Sequence, residues 1–487
     1  MSLVEQTRDV LEHAERVFAK TDRHAEIARL RARLDEPLRV AIAGKVKAGK
    51  STLLNALVGE LLAPTDTGEC TKVVTWYRNG HTYQVLLYPA DGSAPVQARF
   101  GRDDGAIDID LGGRDATHVD RLDVTWPSGG LRQLTLVDTP GVGSLTDGVA
   151  TRAFEFLDPD DAETPADAVL YLMKHIHASD LRLLEAFHDD SVANPNPVNA
   201  IAVLSRADEI GAGRPDSMES AARIADRLGE DGRLRRLVQM IVPVAGLLAE
   251  TAETLTEGEF RELQQLAQGS GDLDLLMLSA DRFVDGRPET PLTSIDRQRL
   301  LDRFGLFGVR AALELIGSER AATSSALASQ LVAMSGLDRL RSVLTSLFVD
   351  RADILKARSG LLATERLCTE LPMHPGVDAL AADVERVMAG AHAFEEMNTL
   401  AALRSGWVSG PSRQLLDLER LLGASGTAGW QRLGLEMPSE PDVMRTAAVE
   451  QLARWQRLAE NPLTAHDTAT AIRVGIRSLE GLIAHSV

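Results

Sequence analysis

Residues 44–51 read Gly44-Lys45-Val46-Lys47-Ala48-Gly49-Lys50-Ser51, and Thr52 follows. Glycines at the first and sixth positions let a backbone wrap closely around phosphates with its N–H groups turned inward. Such a pattern carries weight only where it follows a strand and opens a helix. Here Val40-Ala41-Ile42-Ala43 leads in and Ser51-Thr52-Leu53-Leu54-Asn55-Ala56-Leu57 leads out. The positive end of that helix adds to the anion cradle. The chemistry implied is binding of a nucleoside triphosphate, with Lys50 reaching the β- and γ-phosphates and Ser51 ligating Mg²⁺.

Three further segments supply what a phosphate loop lacks. Asp138-Thr139-Pro140-Gly141 directly follows the strand candidate Leu134-Thr135-Leu136-Val137. An Asp at that strand end can hold Mg²⁺, directly or through water, and the Gly141 N–H can meet the γ-phosphate; alone, the same residues would make a plain turn. Ser205-Arg206-Ala207-Asp208 follows the apolar run Ala200–Leu204. GTPases carry Asn/Thr-Lys-x-Asp there, and the Asp accepts from guanine N1 and N2, donors that adenine does not offer. Ser205 keeps a hydroxyl and Arg206 can stack on the base; the bland alternative is a surface loop with Asp208 as a helix cap. Ala245 and Gly246, after the strand candidate Ile241–Val244, are placed for backbone contacts to guanine O6. Finally, Thr71 immediately precedes a strand and can close over Mg²⁺, with Thr65 and Thr67 competing for that role. GTP or GDP with Mg²⁺ is therefore the expected ligand set.

The elements that must position these residues alternate. Strand candidates lie at Leu38–Ala43, Val73–Tyr77, Tyr83–Tyr88, Leu122–Trp126, Leu134–Val137, Ala168–Met173, Ala200–Leu204 and Ile241–Val244, with helical patterns at Ser51–Val58, Ser179–His188 and Met218–Leu228. Alternation of this kind predicts an α/β domain with a mostly parallel sheet and flanking helices. After about residue 290 the strands vanish, and helices are expected over 296–317, 321–335, 337–371, 376–403, 412–423, 440–460 and 464–485. A single helix over 337–371 would run to roughly 50 Å. Residues 1–34 also show helical spacing, stopped by Asp35-Glu36-Pro37. The expected layout is N-terminal helices over 1–37, a nucleotide-binding domain over 38–295 and an elongated α-helical bundle over 296–487 that the N-terminal helices join.

Composition bounds the partners. The 487 residues carry a formal net charge of −19, with 44% hydrophobic and 25% charged residues, so several domains with large cores are affordable. An acidic chain repels phosphate backbones, which argues against nucleic acid. Two cysteines, Cys70 and Cys368, make no disulfide framework. The N-terminus lacks an apolar signal core, and no apolar run approaches ~20 residues. The expectation is a cytoplasmic protein whose membrane contact, if any, is peripheral at the inner face of the cell membrane. His175 and His177 alternate but find no third ligand in the sequence, so no metal site is expected there.

Together these strings resemble the bacterial dynamin-like GTPases, and most closely their actinobacterial isoniazid-inducible branch. The resemblance rests on AGKVKAGKSTLLNALVGE, APTDTGECTKVVTWYRNG, LVDTPGVGSL, LSRADEIGAG, VPVAGLL and, at 302–310, DRFGLFGVR. It is strong over 38–310 and weaker beyond. It implies an α/β P-loop GTPase domain combined with the bundle, GTP hydrolysis quickened when GTPase domains meet, bundle movement about hinges, and membrane remodelling or tethering. Lys50, Ser51, Thr71, Asp138 and Asp208 take the matching motif positions. One departure stands out: eukaryotic dynamins have Gln-Ser where this chain has Val46-Lys47, and that Ser helps bind a catalytic monovalent cation. The Lys47 ammonium is a candidate replacement for the cation and for stabilising transition-state charge; otherwise Lys47 is a solvent-exposed loop lysine. No Gln or His adjoins Asp138–Gly141 as a base, which leaves backbone and Thr71 to place the attacking water.

Two functional readings follow. One is an active dynamin-like GTPase that self-associates through its GTPase domains. The other is a GTP-binding assembly module of low intrinsic activity, serving a paralogous dynamin-like partner. A ribosome- or RNA-associated GTPase shares the loops but fits neither the acidity nor the helical half, and an ATPase would require Asp208 to have no part in base recognition. Gly406-Trp407-Val408, in a Gly/Ser loop between helices, is the candidate for dipping into a membrane interface or else for packing on the bundle.

Overall fold

The computed structural model describes residues 2–64, 73–103, 106–141, 166–174, 181, 184, 198–269, 273–286 and 290–485. The chain opens with α1 (Leu3–Val17) and α2 (His24–Arg33), then runs through β1 (Leu38–Gly44) into α3 (Lys50–Val58). Next come β2 (Val74–Asn79), β3 (Gln84–Pro89), β4 (Val96–Gln97), β5 (Arg99–Asp103), β6 (Ala106–Asp110), β7 (Val119–Trp126), β8 (Leu134–Asp138), β9 (Ala168–Met173) and β10 (Ala200–Ser205). Helix α4 (Ser217–Gly229), β11 (Ile241–Val244), α5 (Gly246–Glu253), α6 (Glu257–Gln268), α7 (Leu273–Leu276) and α8 (Ala280–Asp285) complete this half.

One nine-stranded sheet has the order β11-β10-β9-β1-β8-β2-β7-β3-β4. From β11 to β8 every pairing is parallel, β2 joins β8 antiparallel, and β2 and β7 are again parallel. The central strands read as unbroken apolar runs because helices cover both their faces. Every residue of β9 and β10 is buried. Register aligns the carboxyl ends: Ile42 faces Asp138, Gly44 faces Leu172, and Ser205 faces Val244. Ligands of open α/β sheets bind along such an edge. The β5–β6 hairpin forms a separate two-stranded sheet. The sequence reading places no strand there, although Ile107-Asp108-Ile109-Asp110 alternates strictly and both isoleucines are buried.

The second half is helical: α9 (Ser294–Gly317), α10 (Ser324–Ser335), α11 (Leu337–Leu347), α12 (Ala352–Glu370), α13 (Val377–Gly390), α14 (His392–Arg404), α15 (Ser412–Leu421), α16 (Gly429–Leu433), α17 (Pro441–Ala459) and α18 (His466–His485). Helices α9 and α10 share an apolar cluster with α5 and α6, whereas α11 and later helices share theirs with β1, α3 and α1. The N-terminal helices lie on the bundle: His13 Nδ1 is 2.8 Å from Asp383 Oδ2, and Lys356 Nζ donates to the Leu34 carbonyl at 2.8 Å.

Two expected helices are broken. The run 337–371 stops at Leu347, turns through Phe348 (φ −114°, ψ −58°) and a short 3-10 segment, and restarts at Ala352. The break lets Arg351 turn inward, where its buried guanidinium donates to the Leu422 carbonyl at 2.7 Å and the Ser346 carbonyl at 3.3 Å. No rod of about 50 Å forms. The run 376–403 breaks at Ala391, which is extended (φ −81°, ψ 102°). That break sets His392 against Glu395 and Ser478. Leu422 and Ser478 lie 71 and 86 residues along the chain from Arg351 and His392, which is why helical periodicity does not reveal either break.

Candidate nucleotide-binding site

The loop between β1 and α3 is held open from below. Gly44 has φ 149°, and a β-carbon on it would lie 2.5 Å from the Leu172 carbonyl oxygen; the close pairing of β1 with β9 therefore demands glycine. Lys47 is strained into the left-handed region at φ 63°. Its carbonyl accepts from Arg206 Nη2 at 2.9 Å, so Arg206 ties the loop to the β10 edge. Lys50 is buried with Nζ 3.4 Å from the Gly44 and Lys45 carbonyls. Burial pushes its pKa down, against the attraction of Asp138. A buried ammonium that among the described residues meets only long bonds to its own loop is well suited to an incoming anion.

Asp138 ends β8 beside this loop. Its Oδ2 accepts from Ser51 Oγ at 3.2 Å, while its buried Oδ1 has no hydrogen-bond partner among the described residues. Burial raises its pKa to about 6, with Lys50 and Ser51 pulling the other way. A half-buried hydroxyl–carboxylate pair with a carboxylate oxygen to spare fits a hard divalent cation. Thr139 fixes the turn by donating from Oγ1 to the Ile42 carbonyl at 3.0 Å. Gly141 then passes so close to Val46 that a β-carbon would sit 2.8 Å from Val46 Cα.

A cavity of about 150 Å³ continues from the loop toward β10 and β11. Ala48, Gly49 and Thr52 line one end; Ser205, Arg206, Asp208 and Gly246 line the other. Ser205 Oγ is buried without a partner among the described residues, and Asp208 is buried with its pKa raised by burial. Arg206 (φ 54°) donates to Glu209 Oε1 at 2.8 Å as well as to the loop, so its guanidinium is held rather than free to swing over a base. Ala245 donates its N–H to the Ser335 carbonyl at 2.9 Å, which spends the donor expected for guanine O6 and leaves that contact to Gly246, the residue that opens α5.

Thus Lys50, Ser51, Asp138, Ser205, Arg206, Asp208, Ala245 and Gly246, dispersed in sequence, converge on one sheet edge. Lys45 lies on the same loop, and the Lys47 and Val46 side chains are exposed. Thr71, Thr65, Thr67, His175 and His177 lie outside the described residues, as does all of the helix expected over Ser179–His188 except Leu181 and Leu184. The sequence reading missed Leu172, Val203, Val244 and Leu247 as cavity lining; nothing local marks a core residue as facing a cavity. It also missed Glu209, which pairs with Lys174 at 2.5 Å and with Arg206. Trp407 is half-exposed, with Arg236 of the sheet domain over its ring at 5.2 Å, so it sits beside that domain.

A family model described as 50S ribosome-binding GTPase matches residues 39–202. It covers the nucleotide-binding half alone. Over 467 residues, the chain is 38% identical to the isoniazid-induced protein IniC of Mycobacterium tuberculosis, covering 95% of this chain and 93% of that one. The chain belongs to the bacterial dynamin-like GTPases. Within the family it is also 37% identical over 136 residues to isoniazid-induced protein IniA of the same organism, covering 24% of this chain and 19% of that one. The bacterial dynamin-like protein of Nostoc punctiforme is 45% identical over 62 residues, 13% of this chain and 9% of its own. A dynamin-like protein of this build is a GTP-binding protein.

Proposed function

We propose that this dynamin-like protein binds GTP and Mg²⁺ in the cavity between the Gly44–Ser51 loop and Asp208, hydrolyses GTP, and uses the nucleotide state to move its helical half in membrane remodelling or maintenance. The observation carrying this reading is the convergence of a buried lysine, a Ser51–Asp138 pair and a buried Asp208 on one sheet edge, where a cavity runs from Gly49 and Thr52 to Asp208. Lys50 would bind the β- and γ-phosphates. Gly44, Lys45, Val46, Lys47, Ala48 and Gly49 would wrap them with backbone N–H groups, and Thr52 would close the helix end. Ser51 and Asp138, with Thr71, would hold Mg²⁺, which neutralises phosphate charge when bound. Gly141 would meet the γ-phosphate, and Lys47 would add transition-state charge stabilisation. Ser205, Asp208 and the Gly246 backbone would hold guanine, while Arg206, held by Glu209 and the Lys47 carbonyl, and Ala245, held by the Ser335 carbonyl, would frame it. Hydrolysis then rests on positioning and electrostatics rather than on a side-chain base.

The exposed, apolar Val46 in the loop favours a second reading, in which the chain binds GTP but turns over slowly until another dynamin-like chain completes the site. The relative IniA makes a paralogous partner as reasonable as a second copy. Among the described residues no helix is long and apolar enough to cross a membrane, and the proposed setting is the cytoplasm with peripheral contact at the inner membrane face. GTP turnover measured against protein concentration, with and without liposomes and with a paralogous partner added, separates the readings. Turnover rising with concentration supports self-activation, and turnover only with the partner supports the assembly module. Absence of GTP binding in Mg²⁺ buffer refutes both.

A further inference from the structure

Helix α9 is kinked at one residue. Gly305 has φ 63° and ψ 170°, a combination only glycine adopts without strain. The kink lies directly behind the base end of the cavity. A β-carbon on Gly305 would be 3.6 Å from Asp208 Oδ2 and 3.7 Å from Leu247 Cδ2. Those distances are ordinary contacts, so the demand for glycine is conformational rather than steric. Both flanks of the kink are fastened to the nucleotide-binding half. On the near side Thr251 Oγ1 of α5 donates to the Arg303 carbonyl. On the far side Arg310 donates to the Gly213 carbonyl, in the loop that follows Asp208, and to the Met277 carbonyl at 2.6 Å.

The second base loop leans on the helical half in the same way. The Ala245 N–H donates to the Ser335 carbonyl at 2.9 Å. Gly336, between α10 and α11, has φ +81°, and a β-carbon on it would fall 2.4 Å from the Pro243 carbonyl oxygen.

We propose that Gly305 and Gly336 are positioning residues for base recognition: the kink of α9 orients Asp208, and the α10–α11 turn, by holding Ala245, sets the loop that carries Gly246, so the helical half completes the guanine selectivity of the site. This rests on reading Asp208 as the guanine acceptor. Because such coupling is reciprocal, a bound base in turn holds these helices in their docked arrangement.

The test compares GDP and IDP, whose hypoxanthine base lacks the exocyclic amine facing Asp208. Dissociation constants are measured for the full chain and for Gly305→Ala, Gly336→Ala and Gly390→Ala; Gly390 is exposed with open space around it. A hydrogen bond to a charged acceptor makes the parent favour GDP by roughly tenfold or more. The ratio should fall to within about threefold in Gly305→Ala. Gly336→Ala should weaken GDP by a similar factor, and Gly390→Ala should match the parent. General destabilisation would lower the active fraction without changing the GDP/IDP ratio. Folded Gly305→Ala and Gly336→Ala proteins that retain the parent's ratio and affinity overturn the proposal. Hydrogen exchange on the parent serves if the variants do not fold: GDP should slow amides 303–308 and 335–337, and unchanged exchange there overturns it too. If the parent itself does not discriminate GDP from IDP, the reading of Asp208 fails instead.

Discussion

Glu250→Gln should stabilise the nucleotide-binding half at neutral and alkaline pH. Glu250 is buried on α5, and its Oε1 accepts from Asn55 Nδ2 at 2.6 Å. Asn55, on α3, also donates to the Ala63 carbonyl at 3.0 Å and accepts from the Leu62 and Ala63 amides at 2.9 and 2.7 Å. This side chain therefore joins α3, α5 and the loop after α3. Burial raises the Glu250 pKa from 4.5 to about 6, more than the Asn55 bond and the Arg303 charge pull it down. A carboxyl raised in the folded state binds its proton more tightly there. Its stabilising contribution is complete below pH 4.5 and is lost as pH rises through about 6. The displacement corresponds to ~2 kcal/mol once the group is ionised. Gln keeps an acceptor for Asn55 and never ionises. Urea unfolding of parent and variant should differ by ~0.8 kcal/mol at pH 5 and by ~2 kcal/mol at pH 8, with the variant more stable. A difference that does not grow with pH, or a variant that is weaker at pH 8, refutes the reasoning.

Asp208→Asn exchanges an acceptor for a donor, so calorimetry should show GTP weakened by roughly a hundredfold and XTP gained; equal GTP affinity would remove Asp208 from base recognition. Lys47→Ala should cut GTP turnover by about tenfold or more with little change in binding. The parent should then turn over equally in potassium and choline buffers, and strong potassium dependence would sink the proposed role of Lys47. In the bundle, burial would raise the Glu396 pKa, but His392, Arg432 and Ser478 hold it down at about 2 against an ordinary 4.5. Its contribution is present above pH 4.5 and is lost as pH falls through about 2. Glu396→Gln should cost about 3 kcal/mol at pH 7 by removing the negative charge that the Arg432 guanidinium and His392 face, and melting at matched pH checks it. Trp407→Ala should float with liposomes as the parent does, since one face of the ring already lies against Arg236; a loss of flotation would make Trp407 a membrane anchor.

Much of the candidate site was legible because its residues sit in short consecutive strings. The Gly44–Ser51 loop, Asp138–Gly141 and Ser205–Asp208 each follow an apolar strand, and the strand itself aims the next residue at the sheet edge. The mostly parallel sheet and the helical second half were legible for the same reason: periodicity is a local property. Tertiary structure alone decided what those pieces meet. Nothing local brings Ser51 within 3.2 Å of Asp138, directs Arg206 onto the Lys47 carbonyl, or turns Arg351 inward to the Leu422 carbonyl and so ends α11 early. Gly305 makes the same point. As a residue in a helical run it reads only as a weak former, yet its conformation is set by Thr251, Arg310 and the Asp208 loop packed around it. Propensity differences of under about 1 kcal/mol per residue decide that a helix forms. Where it bends or stops is settled by burying and pairing polar groups from distant segments, which costs more when left undone.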